Sequence, residues 1–265
     1  MCLILFAWRA HPDYPLIVAA NRDEFHARPA QAAAFWRDSP GILAGRDLEG
    51  GGTWLGVNRD GKFAALTNFR EMAERRTDAP SRGILASRYL GDGQPAAEFT
   101  RQVHQAGSAY HGFNFLAADT QEFWWTSNRG DGPRRLEPGL YGLSNHLLET
   151  PWQKVLRGKE RLREAIDSAV SADVLLGFLG DTSMALDADL PNTGLERQRE
   201  RRLSAARIVS PAYGTRCSTA LIVDRNGRVS YAERSYDAAG EEGDTVRVEF
   251  RLHTGHRAPG APIPG

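Results

Sequence analysis

The two ends of the chain alternate short apolar runs with turn-forming residues, whereas the middle has apolar residues at helical spacing. Residues 2–8 and 15–20 are apolar runs on either side of a polar turn, which predicts a hairpin whose first strand begins at Cys2. Further strands are predicted at residues 42–44, 53–57, 63–67, 113–118, 123–126, 140–143, 217–223, 229–233 and 246–252. Helices are predicted at residues 83–90, 95–105, 152–169, 172–179 and 195–208.

The order of these elements predicts the fold class. Strands come first, helices occupy the middle and strands return, which is typical of a layered α+β domain and not of regular βαβ alternation. Residues 254–265 hold three prolines and three glycines, which predicts a flexible tail. We therefore expect one domain over residues 1–253, followed by that tail.

Composition narrows the classes of function. Lysine plus arginine equals aspartate plus glutamate at 33 each, so the charge balance gives no support for binding nucleic acid. The 2 cysteines cannot build a disulfide framework, and we expect a cytoplasmic protein. No apolar stretch approaches the roughly 20 residues of a spanning helix, and polar residues interrupt the N-terminal run. We therefore expect neither a membrane span nor a secretory signal.

Cys2 is the first candidate for chemistry. A small second residue permits removal of Met1, after which one residue would carry both a thiol and a free α-amine. The ordinary pKa of the amine is about 8 and that of the thiol about 8.5, so the amine can accept the thiol proton near neutral pH. The alternative is a small apolar residue at the start of a buried strand, because free cysteine is often buried.

Polar residues next to the predicted strands are further candidates. The tetrapeptide Asn21-Arg22-Asp23-Glu24 follows the second apolar run, and it is either a solvated turn or a group that orients the amine of Cys2. Asn68 and Asn145 follow other strands, where an asparagine either forms a turn or donates its amide to an oxyanion. Arg216 precedes an apolar strand, where it is either a surface residue or part of the site.

Other motifs carry weaker signals. Gly50, Gly51 and Gly52 lack the Gly-Lys-Ser/Thr of a phosphate loop, so we expect a close approach of the backbone to a strand or a ligand instead. The charged run at residues 196–202 is expected to be a solvated helix face. No histidine has the spacing of a metal ligand pair, so we expect no metal site.

Nine short segments follow one another in the order of a known family between residue 1 and about residue 236. They are Met1-Cys2-Leu3, Asn21-Arg22-Asp23-Glu24, Gly52-Thr53-Trp54-Leu55-Gly56, Leu66-Thr67-Asn68, Ser81-Arg82-Gly83, Asn114-Phe115-Leu116, Leu143-Ser144-Asn145, Leu190-Pro191-Asn192-Thr193-Gly194 and Tyr213-Gly214-Thr215-Arg216. Each piece alone is weak, but the ordered set is specific. It resembles the NRDE family, also called the transport and Golgi organisation protein 2 family.

That family in turn resembles the N-terminal-nucleophile (Ntn) hydrolases, nearest to the branch of bile-salt hydrolase and penicillin acylase. The resemblance implies a four-layer αββα sandwich with the N-terminal residue at a sheet edge. It also implies a site in which a cysteine opens the chain and an arginine and an aspartate follow the second strand. Two asparagines and a later arginine complete that site, and Cys2, Asn68, Asn145 and Arg216 stand at the matching positions.

The second strand departs from the pattern of that branch. The branch has Arg-Asn-x-Asp, whereas this chain has Asn-Arg-Asp-Glu. Either Arg22 with Asp23 or Asn21 with Glu24 takes the two roles. We favour Arg22 and Asp23, and the sequence leaves the choice open.

Two functions follow from the resemblance. The first is a cysteine Ntn hydrolase that cleaves an amide or thioester of an acylated small molecule through an acyl-Cys2 intermediate, with no cofactor required. The second is a non-catalytic protein of haem or acyl-lipid trafficking that uses the same pocket, with Cys2 or His146 as a haem ligand. In either function the residues expected to contact the bound molecule are Asn21, Glu24, Trp54 and His146.

Overall fold

The computed structural model describes residues 2–71 and 78–253. Met1 and the predicted tail at residues 254–265 therefore lie outside the described residues. The strands are β1 (Cys2–Trp8), β2 (Leu16–Phe25), β3 (Ala30–Phe35), β4 (Ile42–Asp47), β5 (Leu55–Asn58), β6 (Phe63–Asn68), β7 (Phe113–Ala118), β8 (Phe123–Ser127), β9 (Arg134–Arg135), β10 (Gly139–Leu143), β11 (Tyr213–Val223), β12 (Arg228–Tyr236) and β13 (Glu242–Arg251). The α-helices are α1 (Gly83–Gly91), α2 (Ala96–Gln105), α3 (Gln153–Ser168), α4 (Ala172–Leu179) and α5 (Arg197–Leu203).

Two antiparallel sheets form the centre of the molecule. The first sheet has the strand order β10-β1-β2-β11-β12-β13, and the second has the order β3-β4-β5-β6-β7-β8-β9. One apolar core lies between the sheets. A second core lies between the first sheet and α3 and α4, and a third lies between the second sheet and α1 and α2. The predicted four-layer αββα sandwich is confirmed.

The continuous apolar run of β1 follows from burial on both faces. Ile4 and Phe6 point into the core between the sheets, whereas Leu3 and Leu5 point toward the helices. Gly158 lets α3 approach closely, because a Cβ there would lie 2.5 Å from Leu5 Cδ1. β1 is the second strand from the edge of its sheet, and Cys2 lies at its first position. The layers thus bring the start of the chain to the end of a central strand.

β2 is longer than predicted. The sequence indicates an end at Ala20, before the polar tetrapeptide, but the strand continues to Phe25. β1 pairs with it as far as Arg22, and β11 pairs with it as far as Phe25. β1 and β11 therefore satisfy the backbone hydrogen bonds of residues that the polarity of the sequence assigns to a turn.

Other elements also differ from the predictions, among them a helix and an edge strand. The helix predicted at residues 195–208 is confined to Arg197–Leu203, because residues beyond it bond elsewhere: Arg207 N–H donates to the Asp181 carbonyl at 2.8 Å. The edge strand Ala30–Phe35 was not predicted, because its alanine-rich sequence is unfavourable for strands. In the described ranges no helix has the length and apolar character needed to cross a membrane.

Candidate active site

A cleft of about 1020 Å³ opens where the ends of β1, β2 and β11 meet the loops after β4 and β6. Its walls thus come from both sheets, and they include Cys2, Arg22, Asn68 and Arg216. A cavity of this size is of the order that encloses a small organic molecule. The cleft therefore brings together residues that are far apart in the sequence.

Cys2 faces this cleft from the floor. Arg22 pairs with Cys2 on one side and with Cys217 of β11 on the other. Cys2 is only 7% exposed, and burial raises the pKa of its thiol. Among the groups that oppose that rise, the charged N-terminus acts most strongly, followed by the backbone of Asp23 and the charge of Arg22. The thiol is therefore protonated at neutral pH and needs a base before it can attack a carbonyl.

Arg22 is held by an acidic residue of the second sheet. Its guanidinium lies 3.3 Å from Oδ2 of Asp47. The same carboxylate accepts two hydrogen bonds from Arg28, of 2.6 Å at Oδ2 and 3.1 Å at Oδ1. Burial alone would raise the pKa of Asp47, but the hydrogen bonds from Arg28 hold it below its usual value. The ionised carboxylate thus fixes a cation next to Cys2.

Asp23 lies one position beyond Arg22. In the antiparallel register Cys2 pairs with Arg22, so Asp23 lies one position past that pair. The Asp23 side chain is 1% exposed and accepts a hydrogen bond of 2.7 Å from the Thr215 hydroxyl. Burial raises the pKa of Asp23, and the charge of Lys154 opposes that rise most strongly. A buried carboxyl group of fixed orientation therefore follows the residue that pairs with Cys2.

The two predicted asparagines, Asn68 and Asn145, are hydrogen-bonded to each other but differ in their position relative to the cleft. Asn145 is fully buried and does not line the cleft; its amide donates a hydrogen bond of 2.9 Å to the Asn68 carbonyl. Asn68 does line the cleft. Within residues 2–71 and 78–253, no hydrogen bond engages its side-chain amide. Asn68 thus offers a donor to a bound molecule, and Asn145 positions Asn68.

Arg216 lines the cleft and clamps the segment after β2. A β-bulge between Thr215 and Cys217 takes Arg216 out of the regular register. Its guanidinium donates to the carbonyls of Phe25, His26 and Arg28 at 3.0, 3.2 and 2.9 Å. The geometry therefore gives Arg216 a role in shaping the wall of the cleft.

Asn21 is not part of the cleft, which corrects the expectation that it contacts the bound molecule. Its amide donates to the carbonyls of Leu179 and Ala206 at 2.9 and 2.8 Å, and its side-chain oxygen accepts a hydrogen bond of 2.6 Å from Ser218. Neighbouring residues of a strand face opposite sides of the sheet, so Asn21 points toward the helices while Arg22 points into the cleft.

Glu24 and Trp54 do line the cleft. Glu24 lies farther along β2 than Arg22, and its carboxylate accepts a hydrogen bond of 2.9 Å from the next backbone N–H. Trp54 is 9% exposed and packs in the core between the sheets. Arg22, Asp23 and Glu24 all line the cleft, whereas Asn21 of the alternative pair does not.

His146 lies outside the cleft as well. Its ring packs against Phe69 at 4.8 Å between centroids, and Nδ1 lies 3.0 Å from the Thr150 hydroxyl. Burial and then the charge of Arg70 lower the pKa of His146. Of the two residues expected as a haem ligand, Cys2 therefore lines the cleft and His146 does not. The described ranges also contain no group of three or more His, Cys, Asp or Glu arranged to hold a metal ion.

The ordered motifs can now be compared with known proteins. Residues 1–238 match the family described as Transport and Golgi organisation 2. The chain belongs to this family. The Transport and Golgi organization 2 homolog of Mus musculus is 38% identical over 277 residues, covering 96% of this chain and 100% of the mouse protein. The human homolog gives the same values, and the Drosophila melanogaster protein is 27% identical over 92% of this chain and 95% of its own length.

Two solved structures are similar to this member of the Transport and Golgi organisation 2 family. The Caenorhabditis elegans N-acylethanolamine-hydrolyzing acid amidase ortholog has a TM-score of 0.48 and 10% identity, over 83% of this chain and 92% of the other. The C2A mutant of conjugated bile acid hydrolase from Clostridium perfringens has a TM-score of 0.42 and 9% identity, over 98% and 100%. Both scores are low, so the description of the fold rests on the chain's own sheets and layers.

This family member has a buried acid in the cleft that sequence reasoning missed. Glu233 of β12 is 4% exposed and accepts a hydrogen bond of 2.7 Å from Ala33 N–H on the other sheet. The Thr219 hydroxyl donates a second hydrogen bond of 3.4 Å to it. Burial raises the pKa of Glu233. A glutamate in a strand normally faces solvent, so no local pattern could have identified it.

A second group of charges was also missed, on the helical side of the first sheet. Glu200 of α5 is 2% exposed and pairs with Arg70 at 2.5 Å, so the charged run at residues 196–202 is not a solvated face throughout. The Arg70 guanidinium lies 4.4 Å from the centre of the Trp152 ring. Lys154 of α3 lies in the same region. Such pairing depends on tertiary structure and leaves no signal in the spacing of the sequence.

Gly52, the last of the three consecutive glycines, allows close packing of two backbone segments. A Cβ at Gly52 would lie 2.3 Å from the carbonyl carbon of Gly83, so the backbones of two segments touch at this point. The backbone approaches another segment closely here, as predicted, but the partner is the start of α1 and not a strand or a ligand. This contact fixes the loop after β4 on the wall of the cleft.

Proposed function

We propose that the chain is a hydrolase that cleaves an amide or thioester of an acylated small molecule through an acyl-Cys2 intermediate. One observation carries the proposal. Cys2 begins a central strand at the floor of a cleft of about 1020 Å³, with Arg22 paired to it and Asp23 also lining the cleft. A thiol in this position becomes a nucleophile with its own base once Met1 is removed.

The first step moves one proton. Burial keeps the Cys2 thiol protonated, so its proton passes to the α-amine as sulfur attacks the carbonyl carbon. Asp23 accepts a hydrogen bond from the amine and orients its lone pair toward the thiol. Arg22, fixed by Asp47, stabilises negative charge as it develops on the sulfur.

The second step stabilises and resolves a tetrahedral intermediate. Its oxyanion accepts a hydrogen bond from the Asn68 amide, a kind of contact that contributes roughly 3–4 kcal/mol to other hydrolases. The intermediate collapses as the ammonium of Cys2 returns its proton to the leaving amine or thiol. The acyl group then remains on the sulfur as a thioester.

The third step releases the acyl group. Water enters the cleft, the free amine of Cys2 takes a proton from it, and the hydroxide attacks the thioester carbonyl. The same Asn68 amide donates a hydrogen bond to the second oxyanion. Expulsion of the sulfur yields a carboxylic acid, and the thiol recovers its proton from the ammonium, so no cofactor takes part.

The test is release of an amine or a thiol from an acyl amide and an acyl thioester of one chain length. It uses wild type, Cys2→Ala and Cys217→Ala, and Cys217 serves as the control because it is the other thiol of the cleft. We expect release by wild type and Cys217→Ala and none by Cys2→Ala. Equal release by Cys2→Ala, or no release by wild type that has lost Met1, would contradict the proposal. Binding without turnover would do the same.

A further inference from the structure

β13 forms one edge of the first sheet, and it differs from the other sheet edges. The opposite edge of that sheet, β10, is covered by Glu149, which bonds to both the N–H and the carbonyl of Gly142. In the second sheet, Ala33 N–H of β3 is bound by Glu233, and β9 is only 2 residues long. β13 has 10 residues without a proline, and within residues 2–71 and 78–253 it pairs with β12 alone. Such an edge is a template for pairing with another chain.

The register of β12 and β13 shows which backbone groups point to this edge. Leu252 N–H donates to the Gly227 carbonyl at 2.8 Å, which continues the ladder between the two strands. Backbone groups of an antiparallel strand point to alternate sides, so the even-numbered residues of β13 bond to β12. The N–H and C=O groups of the odd-numbered residues between Thr245 and Arg251 therefore point outward, where they can bond to a further strand.

The side chains of β13 form an apolar face and a charged face. Val246, Val248 and Phe250 are half-buried, and the last two pack on the core between the sheets. Arg247 and Glu249 are exposed on the other face and carry opposite charges. The edge thus combines outward backbone groups with an apolar strip and two opposite charges.

These positions are self-complementary about Val248. When a second copy of β13 runs antiparallel with a twofold axis at Val248, Arg247 faces Glu249 of the second copy, and the reverse pair forms by symmetry. On the apolar face, Val246 faces Phe250 of the second copy. Arg247 and Glu249 have outward backbone groups, so these pairs exchange the hydrogen bonds of a ladder. Opposite charges and apolar side chains that face each other across a ladder stabilise the pairing.

Neighbouring registers lose this complementarity. An axis at Arg247 or at Glu249 brings that residue against its own copy, so like charges face each other. An axis at Val246 places Val248 opposite Asp244, and an axis between two residues pairs the apolar face of one copy with the charged face of the other. Charged side chains commonly protect an edge strand from pairing. Here their order favours one antiparallel partner, which is the same strand of a second copy.

The two charged residues also have partners within the chain. Arg247 lies 2.5 Å from Asp173 of α4, and Glu249 lies 2.6 Å from Arg228 of β12. All four side chains are at least half exposed, so each charge can bond on a second side. In the pairing about Val248, Arg228 and Glu249 of one copy continue into Arg247 and Asp173 of the other. The signs alternate along this row, and a network contributes more than isolated surface pairs do.

We propose that β13 is a homodimer interface, in which the first sheets of two copies join edge to edge about a twofold axis at Val248. An interface of this kind uses the same surface on both copies, so it closes with two chains and leaves no β13 edge for a third. Among the described residues, those that line the cleft include none from β13. The proposal is therefore independent of the proposed function.

The experiment is sedimentation velocity of the full chain at micromolar to millimolar concentrations, where we expect a reversible dimer. Arg247→Glu alone and Glu249→Arg alone each put like charges opposite each other, so each should raise the dissociation constant about tenfold or more. Arg161→Glu on α3 is the matched control, because it also removes an exposed arginine from an ion pair, with Glu164, and should dimerise like wild type. Wild type that stays monomeric throughout, or Arg247→Glu that dimerises like wild type, would overturn the proposal.

A mixture of the two charge variants tests the register itself. When an Arg247→Glu chain meets a Glu249→Arg chain, every charged pair next to the axis again has opposite signs. We expect this mixture to form heterodimers about as tightly as wild type forms dimers, while each variant alone dimerises weakly. A mixture no tighter than the separate variants would overturn the register.

Glu249→Pro blocks the edge without adding a charge. The N–H that it removes points outward, so the ladder with β12 stays intact, and proline is tolerated at such a position of an edge strand. We expect a folded monomer at the concentrations where wild type is a dimer, with circular dichroism confirming the fold. A Glu249→Pro dimer as tight as wild type would overturn the proposal, and this result does not depend on whether the charge variants fold.

Discussion

The side-chain amide of Asn145 donates a hydrogen bond of 2.9 Å to the backbone carbonyl of Asn68. Asn145 follows β10 of the first sheet, and Asn68 ends β6 of the second. The bond therefore joins the two sheets at the edge of the cleft. It fixes the backbone that carries the proposed oxyanion donor.

Asn145→Ala tests this bridge. We expect the free energy of unfolding to fall by about 2 kcal/mol, because the substitution removes a buried hydrogen bond and leaves the Asn68 carbonyl unpaired. The measurement is the urea midpoint at constant slope. Asn226→Ala in the exposed turn after β11 should change stability by less than about 0.5 kcal/mol. Equal losses in both variants would contradict a stabilising role for the hydrogen bond between Asn145 and Asn68.

Gly52→Ala tests the contact that fixes the loop after β4. The added Cβ would lie 2.3 Å from a backbone carbon of Gly83, which cannot move as a side chain does. We expect a loss of about 1–3 kcal/mol or more in thermal or urea unfolding. Gly93→Ala is the control, because nothing lies within 4 Å of its added Cβ. A Gly52→Ala protein as stable as Gly93→Ala would contradict the packing described here.

Glu233→Gln tests the buried acid of the cleft. Burial raises the pKa of Glu233 in the folded state. The stabilising contribution of its proton is therefore fully present below the unfolded pKa, about 4.3, and is lost as the pH rises through the folded pKa. Glutamine keeps the acceptor for Ala33 N–H but does not ionise, so it lacks this loss.

We therefore expect the stability of Glu233→Gln relative to wild type to increase between pH 4 and pH 7. Each unit by which the folded pKa is raised contributes about 1.4 kcal/mol to that increase. Urea unfolding at several pH values measures it, and other titrating groups cancel in the difference. Glu249→Gln, at an exposed partner of Arg228, is the control for replacing a glutamate by glutamine at the surface. A stability difference for Glu233→Gln that does not change with pH would mean that burial does not raise the pKa of Glu233.

The sequence predicted the layered fold because apolar periodicity reports burial directly. β1 was predicted with its full extent, Cys2–Trp8, and α4 likewise as Ala172–Leu179, since each buries a continuous apolar face. β2 was shortened in the prediction because polarity marks the end of apolar burial and not the end of backbone pairing. Its continuation to Phe25 depends on β11, which lies far away in the sequence.

The candidate site was predicted in part, for a related reason. Cys2, Arg22 and Asn68 all line the cleft, and motif position is enough to indicate them. Asn21 faces the helices instead, because the face of a strand residue depends on register, which a motif does not specify. Lys154 and Glu233 were missed because only the packing of distant elements shows that they are buried.

The most direct test of the central claim is intact-protein mass spectrometry after brief incubation with an acyl thioester at neutral pH, followed by peptide mapping. The account predicts a chain that begins at Cys2 and carries one acyl group on that residue, and no acylation of Cys2→Ala. Retention of Met1, or an acyl group found on Cys217 and not on Cys2, would contradict it.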